Sequence, residues 1–543
     1  MPRPNYRDLT KEQLVQLLEA RDEKRFGLVW ERDAIEHDRA LNEDFVVLDP
    51  VAELHCGPAP HANLVIEGDN FDALRALRPA FAGKVDLIAI DPPYNTGNRD
   101  FVYNDRYVDK EDGWRHSKWL EFMFQRLSLA RDLLAEHGAI FVHIDDNEAS
   151  HLRLLMDEVF GEKNFVACCV WQKRYSRENR EAIGDAHEYV LIYSPDPEAF
   201  KRRRNLIPLT GKQAAIYKNP NHDPMGRWRA IPMTAQGFRP NQMYEIHGPD
   251  GTVHRPPEGR CWSMIEPEFV KLKEARRVYW GKNGKSQPSI IRYLREVDGF
   301  VPWTWWPHEE VGHTDEARKE IQTIFGTQTA FTTPKPVRLI ERILQIATRP
   351  DSLVLDFFAG SGTTGHAVMK LNAEDGGRRR YILVSSTEAT AGEPEKNLCR
   401  DVCAERLRRV VAGYGKANGE AVEGLGGGFA YLKARRIPMG RVVRRIGHGQ
   451  VWLALQLMHF GSLAEDQPVA GGRLHVRAAD RVMVCYAEAV SPALLGRIEK
   501  EAAGHETVVV YSWQPDALAA HLPESFTVLP VPQSLVEKFR ARP

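Results

Sequence analysis

No run of about 18 apolar residues occurs anywhere in the chain, which excludes a hydrophobic transmembrane helix. Met1 to Leu18 carries charges throughout and lacks the apolar core of a secretory signal, so a cytoplasmic location without membrane contact is expected. The seven cysteines (Cys56, Cys168, Cys169, Cys261, Cys399, Cys403 and Cys485) form neither a disulfide ladder nor paired C-x-x-C knuckles. Cys399 and Cys403 stand four apart in a helical stretch, but no histidine or second pair completes a zinc site. Buried thiols and no metal are the expectation. A phosphate-binding P-loop is also missing: Gly284-Lys285-Ser286 has Tyr279 where the upstream glycine is required, which excludes an ATPase of that type. Nor is there a strong charge of one sign, the formal net charge being -1.

That balance conceals an uneven distribution. From Gln172 to Phe300 about 23 Lys and Arg stand against about 15 Asp and Glu, an excess that suits a polyanion or a solvated basic surface. A chain of 543 residues is too long for one core, so several units are expected. Residues 1–60 open on a polar helical pattern (Leu9, Leu14, Leu17, Leu18) and close on the link Cys56-Gly57-Pro58-Ala59-Pro60. Short apolar strands then alternate with helices through residues 61–171: Leu64–Ile66, Val85–Ile90, Ala139–Ile144 and Phe165–Val170. Between the second and third runs an amphipathic helix repeats Trp119, Phe122, Met123, Leu127, Ala130, Leu133 and Leu134 at three and four residues. In residues 172–325, apart from a strand at Tyr189–Tyr193, the rhythm dissolves into Arg, Trp, Gly and Pro. It resumes over residues 326–412 with helix Val337–Ala347 and strands Leu353–Phe357 and Tyr381–Val384. Neither half completes a sheet alone. One seven-stranded parallel α/β fold of Rossmann type, interrupted by a large insertion, is therefore predicted. A glycine-rich linker at Gly424–Gly428 leads to a small α/β unit over residues 429–543, with strands Val482–Tyr486 and Thr507–Tyr511.

Two motifs stand where such a sheet presents ligand groups, at the carboxyl ends of strands. The first is Asp91-Pro92-Pro93-Tyr94. Two prolines can simply end a strand, but the chemistry also suits an exocyclic amine, whose lone pair is delocalised into its ring. The Asp91 carboxylate and the Pro92 carbonyl would accept both N–H bonds and turn that lone pair toward an electrophile. Proline rigidity at Pro92 and Pro93 holds the acceptors still, and Tyr94 would stack on a base drawn out of a duplex. The second is Asp356-Phe357-Phe358-Ala359-Gly360-Ser361-Gly362-Thr363-Thr364-Gly365. Its G-x-G-x-x-G suits NAD, FAD or S-adenosylmethionine, with the glycines admitting close backbone approach and Asp356 at the cofactor edge. His143 and His187 abut strand ends but are given no role.

The two motifs resemble the catalytic and cofactor motifs of amino-methyltransferases, and their order is similar to the beta class of DNA methyltransferases. The resemblance is closest to the Mod subunits of type III restriction–modification systems. It runs through Ile66-Glu67-Gly68-Asp69-Asn70, Lys84-Val85-Asp86, Tyr94-Asn95-Thr96-Gly97, Arg115-His116-Ser117-Lys118-Trp119-Leu120, Asp145-Asp146-Asn147-Glu148 and Thr333-Pro334-Lys335-Pro336, covering residues from about 25 to 410. It implies N6 methylation of adenine in duplex DNA, with S-adenosylmethionine as donor. Asp69 would approach the cofactor adenine, Lys335 its methionine part, and Asp356, Phe358, Ala359, Gly360, Ser361, Gly362 and Thr363 would line the pocket. Where an acidic residue or Gln often ends the second strand, this chain reads Ser385-Ser386-Thr387-Glu388, leaving the ribose contact open between Ser385 and Glu388.

By the same resemblance, residues 61–171 and 326–412 are the catalytic and cofactor halves, and residues 172–325 are the target-recognition region. There Gly226-Arg227-Trp228-Arg229 and Gly259-Arg260-Cys261-Trp262 mix arginine with aromatics, and Trp303-Thr304-Trp305-Trp306 adds an aromatic cluster. Arg227, Arg229 and Arg260 are the candidate DNA contacts, although a small-domain core for the tryptophans and a solvated surface for the arginines is the commoner arrangement. A homodimer and a nuclease–translocase restriction partner are further implications, with the C-terminal unit as the assembly or docking piece. Three alternatives remain: cytosine-N4 methylation, a non-catalytic DNA-recognition subunit, and a nicotinamide oxidoreductase, which leaves Asp91–Tyr94 unexplained.

Overall fold

Seven short runs rich in Val, Ile and Leu are too apolar to leave either face in water, and in the computed structural model they lie side by side. The structure describes residues 10–15, 44–97, 102–103, 106–107, 113–176, 182–326, 331, 333–390, 392–416, 418–469, 471, 473–531 and 535. Of the predicted N-terminal helical pattern only Leu14 falls among them, in a helical stretch at residues 11–15; Leu9, Leu17 and Leu18 lie outside. Ten strands form the main sheet: β1 (Asp44–Pro50), β2 (Leu64–Glu67), β3 (Val85–Ile90), β4 (Leu134–Ile144), β5 (Phe165–Gln172), β6 (His187–Tyr193), β7 (Trp305–Trp306), β8 (Leu353–Asp356), β9 (Arg380–Ser385) and β10 (Ala430–Pro438). Their order is β1-β10-β2-β9-β8-β3-β4-β6-β5-β7.

The seven predicted strands occupy seven adjacent places, from β2 to β5. From β2 to β4 every pairing is parallel, and β6 runs antiparallel to both β4 and β5. The chain crosses the insertion within this sheet: β8 and β9, which follow it, sit between β2 and β3, which precede it. Helices cover the sheet: α1 (Asn70–Phe81), α2 (Arg115–Leu133), α3 (Ala149–Phe160), α4 (Val337–Ala347), α5 (Thr363–Asp375) and α6 (Glu405–Ala412). The apolar stripe read in α2 is the buried one, with Trp119, Met123, Leu127, Ala130 and Leu133 fully enclosed. Burial of each such large side chain contributes about 1.5–3 kcal/mol.

The sheet extends beyond the prediction at both edges. β1 lies in the segment read as helical, and β10 lies beyond the glycine linker in the segment assigned to the C-terminal unit. β10 pairs parallel to β2 and antiparallel to β1, so each covers an edge that would otherwise present unpaired backbone. β10 is half-polar, which periodicity alone does not separate from a loop, whereas β1 carries the buried apolar run Phe45-Val46-Val47-Leu48. After β10, helix α7 (His448–Phe460) packs on α1 and β1. A four-stranded sheet follows, made of Leu474–Ala479, Val482–Ala487, Thr507–Ser512 and Thr527–Pro530.

The inserted unit is narrower than 172–325. β6 and β7 belong to the main sheet, and the compact second unit is Asn205–Pro302. It holds a three-stranded sheet (Trp228–Pro232, Val278–Tyr279, Ser289–Tyr293), two two-stranded sheets and two α-helices, Gly211–Ala214 and Glu266–Glu274. Met233, Ile246, Trp262 and Phe269 form its centre, beside a smaller cluster of Trp228, Ile291 and Tyr293. Its two motif tryptophans are therefore core. All seven cysteines are free. Among the described residues no helix is long and apolar enough to cross a membrane.

Candidate active site

β3 ends at Ile90, and the two prolines that follow prevent the strand from continuing. Asp91 thus lies just past the sheet, and its carboxylate meets one group from its own loop and one from a distant segment. Lys335 Nζ donates to both oxygens, at 2.8 Å each, and the Tyr94 hydroxyl donates to Oδ1 at 2.8 Å. Glu188, at the start of β6, completes the cluster: its Oε2 lies 2.9 Å from the Tyr94 hydroxyl and 3.4 Å from Lys335 Nζ. Lys173 stands 3.5 Å from the other Glu188 oxygen and 2.7 Å from Asp185. Burial and the two carboxylates push the Tyr94 hydroxyl well above its usual range, so it stays a proton donor. Burial alone would lower the Lys335 ammonium; Asp91 and Glu188 outweigh it and raise the pKa. Asp91 remains the most open of the three ionic groups, its side chain 31% exposed against 11% and 10% for Lys335 and Glu188.

The loop around Asp91 is pinned from α2. The Trp119 indole donates to the Pro93 carbonyl at 2.7 Å, so that carbonyl already has a partner within the fold. Next in sequence, Asn95 adopts a left-handed backbone with φ of 57° and is almost fully buried. His116, Glu148 and His151 gather behind it with their ligand atoms within 4.8 Å of one another, spacing that also suits a cation. Each imidazole Nδ1, however, meets a different Glu148 oxygen at 2.7 Å, and Arg115 Nε donates to His116 Nε2 at 3.2 Å. That places the His116 proton on Nδ1, so the cluster is hydrogen-bonded.

The second carboxylate at a strand end behaves differently. Asp356 closes β8, and both of its oxygens serve its own loop: Oδ1 accepts from Phe358 N at 3.0 Å and Oδ2 from the Thr364 hydroxyl at 2.6 Å. Burial pushes its pKa up to about 7. Gly360 and Gly362 turn the loop with φ of 50° and 77°. A Cβ on Gly362 would stand 3.1 Å from both the carbonyl oxygen and the sulfur of Cys403, whereas one on Gly360 would come within 3.2 Å of the Phe331 ring. Gly362 is thus needed for packing, and Gly360 keeps the loop crest bare. From beneath, the fully buried Arg406 donates to Ser361 Oγ (3.2 Å) and Thr363 Oγ1 (2.8 Å), and burial brings it down to about 10. Phe358 leans toward Phe122, and Ala359 N bonds the Val384 carbonyl at 3.0 Å.

Asp69 ends at the neighbouring strand, but its carboxylate caps α1 through Phe71 N and Asp72 N and pairs with Arg126 at 2.9 Å. Lys335, expected beside a cofactor's methionine part, is found on Asp91. Of the two ribose candidates, Ser385 is buried and Glu388 is exposed, paired with Lys396 at 3.0 Å. In the inserted unit Arg227 is exposed and Arg229 lies 5.3 Å over the Tyr217 ring. Arg260 donates to Thr234 Oγ1 and to the Thr234 carbonyl, both at 2.9 Å, which ties the two strands Thr234–Gln236 and Arg260–Trp262 together. Sequence reasoning missed Glu188, Arg406 and the pinning role of Trp119. Only Trp119 lay inside a motif, and no spacing rule joins Glu188 to a loop 94 residues away. His143, left without a role, is buried with both ring nitrogens unpartnered; burial, then Lys335, lowers it to about 3.

Residues 85–390 match the DNA methylase family (N6_N4_Mtase). The chain is 38% identical over 381 residues to the type III restriction-modification enzyme StyLTI Mod subunit of Salmonella typhimurium, covering 64% of this chain and 57% of that protein. It is 32% identical over 392 residues to the EcoPI Mod subunit of Escherichia phage P1, covering 60% and 58%. The type II methyltransferase M.KpnI of Klebsiella pneumoniae is 33% identical over 343 residues, covering 59% and 79%. The chain thus spans little more than half the length of the two Mod subunits. With both motif loops and the strands that carry them inside a match longer than half of the sequence, the chain belongs to the DNA methylase family.

Proposed function

We propose that the protein methylates N6 of adenine in duplex DNA, with S-adenosylmethionine as donor, as the modification subunit of a type III restriction–modification system. The observation that carries this reading is the partly open Asp91 carboxylate at the end of β3. Pro93's carbonyl is spent on Trp119, while the Asp91 side chain stays 31% exposed and the Pro92 carbonyl beside it would supply the second acceptor. An amine hydrogen-bonded to both has its lone pair turned away from them, and the rigid prolines keep that geometry through the reaction. Before the amine arrives, Lys335 neutralises Asp91; Glu188 lies within ion-pair reach of the same ammonium and offers it a second anion.

The residues of the second loop fit the donor: Gly360 and Gly362 turn the loop at positive φ, and Asp91 stands just past the end of the adjacent strand β3. Asp69, Phe358, Ala359, Gly360, Ser361, Gly362 and Thr363 would hold the cofactor, with Asp356 and Arg406 shaping their loop from within. When bound, S-adenosylmethionine supplies an electrophilic methyl group.

Recognition of DNA falls to Asn205–Pro302. There Arg229 and Arg292 face each other directly across two strands. Like charges so placed repel, and an anion between them relieves the repulsion. With the exposed Arg227 they suit the phosphate backbone. A homodimer and docking of a restriction subunit by the C-terminal α/β unit complete the proposal; sedimentation showing only monomer at micromolar concentration would remove the dimer.

The test is methyl transfer from labelled donor to duplex DNA by the purified protein, followed by nucleoside analysis. N6-methyladenine is expected. N4-methylcytosine, or no modified base, overturns the reading.

A further inference from the structure

We infer that Glu148 is a positioning residue for the reaction, holding the Asp91–Tyr94 loop through Asn95. The inference rests on the proposed role of that loop. Glu148 has no exposed surface, yet its carboxylate accepts from three side chains. Asn95 Nδ2 lies 2.5 Å and His116 Nδ1 2.7 Å from Oε1, and His151 Nδ1 lies 2.7 Å from Oε2. The donors come from three segments: the loop after Tyr94, the first turn of α2, and the first turn of α3.

A buried carboxylate is tolerated only when its lone pairs are used, and here all three donors are also tethers. Asn95 supplies the reason for one. Its left-handed backbone is uncommon outside glycine, asparagine being one of the few other residues that adopt it, and the bonds of its side chain hold it there. Its amide donates a second bond to the Arg115 carbonyl at 3.2 Å, so the side chain is held from two directions. Together with the Trp119–Pro93 bond this tethers positions 93 and 95, the residues on either side of Tyr94. Three separated stretches singled out in the sequence, Tyr94–Gly97, Arg115–Leu120 and Asp145–Glu148, thus meet in one clamp. An acceptor displaced by about 1 Å loses on the order of 10²-fold in rate, so the clamp acts on turnover although it touches no reactant.

A mutant cycle on the full chain tests this. Asn95→Gly keeps the left-handed backbone accessible but removes the amide tether; Glu148→Ala removes the clamp; Glu148→Gln keeps an acceptor for Asn95. Single-turnover methylation at saturating DNA and donor should fall roughly 10- to 100-fold in Glu148→Ala and Asn95→Gly. The double variant should be no slower than Glu148→Ala, and Glu148→Gln should recover most of the rate. Calorimetric affinity for S-adenosylmethionine and KM for DNA should stay within about threefold, because the Gly360 loop is carried by other strands. Amide exchange over residues 94–97 should speed up in both slow variants. Wild-type rates in Asn95→Gly overturn the inference even if Glu148→Ala does not fold. Defects that multiply in the double variant, or donor affinity that falls with the rate, overturn it as well. If the unaltered protein transfers no methyl group to DNA, the proposed function fails; unchanged exchange in the variants is the separate failure of the clamp.

Discussion

Asp91 and Asp356 end neighbouring parallel strands, and position alone assigns both to ligands. Their surroundings separate them. Asp91 accepts from Tyr94 within its own loop but also reaches beyond it to Lys335 and stays partly open, whereas Asp356 turns back and spends both oxygens on Phe358 and Thr364. A strand-end carboxylate is therefore a candidate for chemistry only if its own loop does not consume it, which leaves Asp91 as the candidate of the two.

The strongest test of that division is Asp91→Ala. It should slow methyl transfer by about 10²- to 10⁴-fold while leaving S-adenosylmethionine affinity nearly intact by calorimetry. Near-normal transfer would break the comparison; lost affinity would move Asp91 into the cofactor pocket. Asp356→Ala should show the reverse, weaker donor binding and a stability loss of about 1–3 kcal/mol in chemical denaturation, since two donors lose their acceptor. Retained stability would make Asp356 dispensable to its loop.

Asp356 also sharpens the contrast through pH. Its folded pKa, raised to about 7, exceeds the ordinary carboxyl value of 3.8. The stability it contributes is therefore fully present below 3.8 and lost as pH rises through 7. In Asp356→Asn the melting temperature of the cofactor-free protein should fall less over that window than in the parent, and parallel profiles would refute the assignment.

A smaller effect is expected at Tyr94. Tyr94→Phe keeps the ring but loses the bonds to Asp91 and Glu188, and should retain most activity, within about tenfold in single turnover. Tyr94→Ala additionally loses a stacking face worth about 1–3 kcal/mol, a defect that should soften on a mismatched target. Equal losses in the two variants would place the hydroxyl above the ring. Smallest of all, Arg229→Ala should weaken DNA binding uniformly across sequences and reduce the salt slope by about one unit, leaving the methylated site unchanged.

Sequence periodicity located the sheet because its central strands are buried on both faces and read as unbroken apolar runs. β10 escaped it because it mixes polar and apolar residues, as in Lys433-Ala434-Arg435-Arg436, and β1 because its short apolar run, Phe45-Val46-Val47-Leu48, follows a segment whose pattern is helical. Asp91–Tyr94 and the Gly360 loop were legible as candidates because each is a short contiguous motif at a strand end. Glu188 and Arg406 were not, since each serves a loop through contacts that span many residues. The Arg260 bonds to Thr234 were hidden for a related reason: an arginine next to an aromatic reads alike whatever it binds.

The interleaved sheet has a consequence for how the protein is made. β2 and β3 leave the ribosome early, but the strands that belong between them, β8 and β9, lie beyond the inserted unit. At about 5–20 residues per second, the wait from β3 to the end of β9 is roughly 15–60 s. Throughout it the nascent chain carries two apolar strands with a gap between them and no native partner to fill it. Asn205–Pro302 holds a core of its own and is free to fold during the same interval. The catalytic sheet is thus the later of the two to close, and the emergence of Ser385, the last residue of β9, sets the earliest moment at which both motif loops can share one sheet.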